Sequence, residues 1–255
     1  MLNQLRADNF RLRHTLGIYL TLLFTIVYSA FITGKSIVGG ILVTDDSMDK
    51  LDSVKIWTIK DGINASTLSS SLLLYVLISI FVIIIGTEFS QKTYKNTLVS
   101  GITRTQFVLA KYVLMLLSIF VLIITYFLTS VVMGMILSRT TGSSWSELMS
   151  IILKDSLVIA FFISVIFGLG ILILFLTSSI VFSSIFIVVC PIFVTVLNNL
   201  VDWSWLKYID FFRAAVKISL RLVSTQQIWI YILTSMVVLI ITIFCSVYVI
   251  NNKEL

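Results

Sequence analysis

Residues able to do chemistry are few and scattered. His14 is the only histidine, and both cysteines, Cys190 and Cys245, stand inside apolar runs. A zinc hydrolase needs paired imidazoles or clustered thiolates, so neither a metal site nor a disulfide framework is expected. Gly34-Lys35-Ser36 looks like the end of a phosphate-binding loop, but Ser29 stands where the first glycine is required and the pattern follows no strand. Asn64-Ala65-Ser66 is a glycosylation triplet of the kind that arises by chance. No catalytic residue and no cofactor is therefore expected in this chain. What remains is Glu88 to Lys111, EFSQKTYKNTLVSGITRTQFVLAK, a polar, net positive stretch between two long hydrophobic runs. Its chemistry is mechanical, because a short helix carrying basic and hydroxyl side chains can dock a second protein and move as a unit with the runs on either side.

The elements that must position this stretch are membrane helices. Hydrophobic residues make up 58% of the 255 positions and charged ones only 12%, against about 25% charged in soluble domains. The net charge of +6 comes from basic residues flanking apolar runs, which is the membrane pattern and not a nucleic-acid footprint. Uncharged stretches predict six spans at about 15–34, 64–87, 112–137, 156–176, 180–200 and 227–250. The fourth and fifth come from one uncharged run, Ser156 to Val201. As a single helix it would measure about 69 Å, more than twice a bilayer core, so it folds back, with Thr177-Ser178-Ser179 as the turn. Pro191 then falls inside the fifth span, where it removes one backbone bond and predicts a kink. The expected class is an all-α integral membrane protein with one six-span domain over 1–255.

Two amphipathic segments complete the architecture. Residues 1–14 mix Leu2, Leu5, Phe10 and Leu12 with Arg6, Arg11 and Arg13, predicting a retained lead-in that lies at the inner interface beside anionic head groups. Residues 202–221, set on a helix, gather Lys207, Asp210, Arg213, Lys217 and Arg221 opposite Trp205, Tyr208, Ile209, Phe212, Val216 and Leu220, which predicts an outer amphipathic helix before span 6. Three arginines precede the first span and only Lys35 directly follows it, so both termini are expected to be cytoplasmic. Trp57, Trp145, Trp203, Trp205 and Trp229 then all fall in or beside outer segments, as membrane-interface anchors.

The predicted span cores carry no ionisable side chain, which argues against a proton- or ion-coupled carrier, and no channel filter is visible. The hydroxyl cluster Thr67 to Ser71, and Ser164, Gly168 and Gly170, suit close helix packing.

A span ending at Glu88, then Thr-Tyr-Lys-Asn-Thr-Leu-Val-Ser, then Ile-Thr-Arg-Thr-Gln-Phe-Val-Leu-Ala-Lys entering the third span, resembles the ABC-2 class of ABC-transporter permeases. Six spans with amphipathic segments at the start and before the last span extend the resemblance over the whole chain. Lys92 stands where that class usually has Gly before the Thr, and Gly101 replaces the usual Pro after the turn. The resemblance implies a dimer, with itself or with a sister permease, in the bacterial plasma membrane. It also implies a cytoplasmic coupling helix between spans 2 and 3 that docks on a separate ATPase subunit, the holder of ATP and Mg. Glu88, Thr93, Tyr94, Lys95, Arg104 and Lys111 would lie in or near that docking segment, although positive-inside bias alone accounts for Lys92 and Lys111. Small size and the lack of a large outer domain resemble bacterial exporters of antimicrobial or cytolytic peptides such as the phenol-soluble modulins. The alternative is an ATPase-independent membrane protein, an immunity or binding factor or a secondary carrier.

Overall fold

The computed structural model describes residues 2–39, 56–99, 101–201, 203 and 205–252. The acids and lysines expected in the first outer loop from Asp45 to Lys55, together with Lys253 and Glu254, lie outside the described residues. Among the described residues all regular structure is helical: α1 (Leu2–Arg13), α2 (Leu16–Lys35), α3 (Ile59–Ser69), α4 (Ser71–Ser90), α5 (Tyr94–Val99), α6 (Arg104–Ile136), α7 (Trp145–Thr177), α8 (Ile180–Leu200), α9 (Phe211–Ser219) and α10 (Thr225–Asn251). Six of them, α2, α4, α6, α7, α8 and α10, are long and apolar enough to cross a membrane.

The helices start where polar caps stand, upstream of the uncharged runs. Thr58 and Asp61 form a reciprocal capping box at α3, Thr103 accepts from the Gln106 N–H at α6, and Ser144 accepts from the Glu147 N–H at α7. Each satisfies backbone donors that the first turn leaves unpaired. As a result α6 and α7 are both 33 residues long, about 50 Å, and overrun a roughly 30 Å bilayer core. The spans expected at 112–137 and 156–176 thus begin earlier than charge alone suggested, and Lys111 and Asp155 sit buried on span helices instead of in flanking loops. The second span, expected at 64–87, is displaced and interrupted, since α3 ends at Ser69, α4 carries the span from Ser71 to Ser90, and Val82–Gly86 inside α4 is a π-turn.

The fourth and fifth spans meet as expected. Ser178 adopts a left-handed φ of 54°, and Ser179 caps α8. Pro191 is buried within α8, which continues from Ile180 to Leu200. The segment 202–221 departs from expectation, because it is a single 3₁₀ turn at Leu206–Tyr208 followed by α9, with a break at Asp210. Asp210 does not join a solvated charged face. It is 2% exposed, and its carboxylate accepts from the Arg213 N–H and the Thr195 hydroxyl. Burial pushes its pKa up from the usual carboxylate value.

The bundle centres on α6 and α7, with α2, α3 and α4 on one side and α8, α9 and α10 on the other. Hydroxyls and tyrosines stitch the first group together and to α6. Ser29 donates to the Tyr126 carbonyl, Thr33 to Ser130, Tyr126 to the Ser66 carbonyl and Tyr28 to the Ser69 carbonyl. The Ser/Thr cluster around Thr67 is therefore packing, as apolar surroundings favour. Gly170 brings α7 against α8, where an added Cβ would lie 2.6 Å from Ile187 Cδ1. Trp145, Trp203, Trp205 and Trp229 are exposed. Trp57 differs: it is 6% exposed, packed with Ile32 and Ala65, and the Arg139 guanidinium lies 5.6 Å from its ring centroid.

Candidate functional site

At one end of the bundle, α1, the end of α4, α5 and the start of α6 meet. Four of the charges at this end, Asp8, Arg11, Glu88 and Lys111, find one another. Lys111 Nζ, 0% exposed, lies 2.7 Å from Asp8 Oδ2 and 2.8 Å from Glu88 Oε1. Arg11 Nη1 reaches the same Glu88 oxygen at 2.6 Å, its Nη2 stands 3.5 Å from Asp8 Oδ1, and Gln4 donates to Asp8 Oδ2 at 3.1 Å. Two carboxylates and two cations make a formally neutral cluster, the condition under which ionised groups tolerate burial. Lys111 also lies 5.3 Å from the Phe107 ring centroid.

The backbone takes part. Arg11 Nη2 donates to the Ile84 carbonyl at 3.0 Å, inside the π-turn of α4, so the side chain of α1 holds the one segment of the second span whose hydrogen bonding is irregular. Such π-turns often mark functional positions. Glu88 Oε2 is buried without a hydrogen-bond partner.

Around this cluster the predicted residues take different places. Glu88 and Lys111 are joined at its centre. Tyr94, at the start of α5, stacks on Phe89 with centroids 4.2 Å apart, and Phe89 stacks on Phe175 of α7 at 5.0 Å. Thr93 is exposed, and its hydroxyl points to the Glu88 carbonyl at 3.4 Å. Lys95 is half-buried on α5, beside exposed Asn96. Arg104 is not part of the cluster, since its guanidinium donates to the Asn251 carbonyl at the end of α10 and ties the last span to the third. That places a cation where the helix dipole is negative. The expected coupling helix is short, covering Tyr94–Val99 alone, while Arg104 and Lys111 belong to α6. Lys92 takes φ 55°, the left-handed conformation glycine adopts freely.

Asp8 and Arg11 were not expected at the site. One signal pointed to them, for Asp8 is the only acid in an otherwise basic lead-in and stands one helical turn before Arg11. Pro191 lies elsewhere, beside Asp210 and Phe211. No group of three or more potential metal ligands occurs among the described residues.

No curated protein and no solved structure matches the chain. Residues 18–255 match the family described as a protein of unknown function, DUF2705, and the chain belongs to that family.

Proposed function

We propose that the chain is the membrane-spanning permease subunit of an ATP-driven ABC exporter. It works as a dimer with itself or a sister permease in the bacterial plasma membrane, with both termini cytoplasmic. It moves amphipathic peptides of the antimicrobial or cytolytic kind, and a separate ATPase subunit supplies ATP and Mg. The observation that carries this reading is the way α5 is mounted. A short helix with half-buried Lys95 and exposed Asn96 sits between two spans, and the buried ion cluster bolts both spans to α1. Push α5, and the ends of α4 and α6 follow as one body, because packed elements shift as units. The substrate path would then lie along apolar, hydroxyl-dotted helix faces open to lipid.

A photo-crosslinking residue at Asn96, introduced in cells that express the neighbouring genes, tests the reading. An adduct to a nucleotide-binding subunit, enhanced or lost when ATP is trapped, is expected. Absence of any such adduct, together with copurification of the chain alone and without an effect of nucleotide, rejects it. Orientation is tested separately in a background with Cys190 and Cys245 replaced. Ser146→Cys should react with an impermeant maleimide on intact cells and Asn96→Cys only after permeabilisation, and the opposite pattern inverts the topology.

A further inference from the structure

The ion cluster uses one face of α1. Asp8 and Arg11 project toward α4 and α6, while Arg6 and Arg13, seven residues apart, share a different face, at 100° per residue. That second face overlooks a groove of about 510 Å³ between α1, α2 and α6. Its walls are largely apolar, with Leu5 from α1, Ile18 and Leu22 from α2, and Leu117 and Val121 from α6, and Asn9 and Ser118 as the uncharged polar residues among them. Leu117 and Val121 are more than half exposed in the bundle and open the groove sideways toward the surrounding membrane. Arg6 and Arg13 stand at its rim, both exposed, and no acidic residue lines it among the described residues. Unlike Arg11, neither rim guanidinium has a carboxylate within salt-bridge distance among the described residues.

We infer that this groove is a binding site for one phospholipid with an anionic headgroup, drawn from the leaflet at this end of the bundle. The acyl chain lies against the leucine and valine wall, and the phosphate is held between Arg6 and Arg13. The volume is in the roughly 300–1,000 Å³ range of sites that hold a discrete small molecule. A guanidinium pair matches a phosphodiester through charge-assisted hydrogen bonds, whereas the apolar wall has nothing to offer a free anion. The neighbouring cluster supplies what α1 needs for the role, because it fixes the helix against the bundle and so holds the rim arginines beside the groove.

The full chain purified in a neutral detergent and examined by native mass spectrometry tests this. Dioleoylphosphatidylglycerol should be retained as a single adduct about thirty-fold more strongly than dioleoylphosphatidylcholine, as two arginines beside an anionic headgroup give. Arg6→Gln/Arg13→Gln should bring the ratio to about one without changing thermal unfolding, since both side chains are exposed and outside the ion cluster. Leu117→Trp fills the wall from an exposed position, leaves both arginines in place, and should abolish retention of either lipid. Excess inorganic phosphate should not displace the adduct. Equal retention of the two lipids, an unchanged preference in the arginine variant, unchanged binding in Leu117→Trp, or displacement by phosphate would each overturn the assignment. None of these results depends on an ATPase partner, so the lipid site and the exporter reading stand or fall separately.

Discussion

Replacing Lys111 by methionine puts the ion cluster to its sharpest test. The ammonium makes two contacts, 2.7 and 2.8 Å, to carboxylates that are each 4% exposed. At an effective dielectric constant of about 20 each contact represents roughly 6 kcal/mol of attraction, against several kcal/mol of desolvation per ion. Methionine is about as long as lysine and fills the space, so the loss is electrostatic and not a cavity. What it leaves behind is two buried carboxylates sharing one cation, Arg11, whose side chain is 38% exposed. Stranding one partner of a buried pair typically costs about 3–5 kcal/mol, and that is the expected loss for Lys111→Met. Lys111→Met/Glu88→Gln removes one charge of each sign and leaves Asp8 paired with Arg11 at 3.5 Å, so it should recover most of the stability. The assay is equilibrium unfolding of the purified protein in mixed micelles titrated with an anionic detergent, run as a double-mutant cycle. A cost under about 1 kcal/mol for the single variant, or a double variant as unstable as the sum of its singles, would show that the four charges do not act as one buried unit.

Three smaller predictions use the same assay. Lys92→Gly should stabilise by about 1 kcal/mol, because the φ of 55° costs an L-residue what glycine takes without strain, less the extra freedom of glycine in the unfolded chain; a loss of stability would refute it. Gly170→Val should cost about 1–3 kcal/mol by driving a methyl into Ile187, whereas Gly168→Ala, whose Cβ would meet Tyr112 at 3.6 Å, should be tolerated; equal effects would mean that α7 and α8 do not rely on close approach at Gly170. Asp210→Asn keeps a capping side chain and removes a buried charge. The folded-state pKa of Asp210 is raised, so the native state binds its proton more tightly than the unfolded chain and wild type should gain stability relative to the Asn variant as pH falls from neutral toward 4; a pH-independent difference would mean that burial does not raise the Asp210 pKa.

Much of the architecture was legible because membrane spans are written as uncharged runs. Ile180 to Leu200, Leu16 to Lys35 and the Thr177–Ser179 turn follow from hydropathy and length alone. The starts of α6 and α7 were displaced for a physical reason. Charge-free length measures the part of a helix in hydrocarbon, whereas the helix itself begins at its cap, and Thr103-x-x-Gln106 and Ser144-x-x-Glu147 carry that signal in the sequence. The break of 202–221 at Asp210 was hidden because a helical wheel assumes continuity, while an aspartate between two apolar stretches serves equally as a cap.

The site was half legible. Glu88 and Lys111 stand out as charges at the ends of consecutive antiparallel spans, which puts them at one depth, but nothing local says that they pair and do not face water. Pairing depends on α1 folding back over both, and α1 is short, mixed in polarity and indistinguishable by pattern from a helix resting on lipid. Its folded position changes how the basic residues of Glu88 to Lys111 should be understood. Positive-inside bias would account for a lysine near a cytoplasmic span end, yet it cannot explain why Lys111 is fully enclosed with Asp8 and Glu88, since a topology signal needs only to reach water. An enclosed ion pair costs desolvation and earns it back only while its partners stay in register. Sliding α1 or α4 by one turn would strand charges instead of exchanging contacts, so the cluster favours movement of these three helix ends together over movement between them. A docking force on α5 would accordingly reach the rest of the bundle through α4 and α6, with α1 carried along.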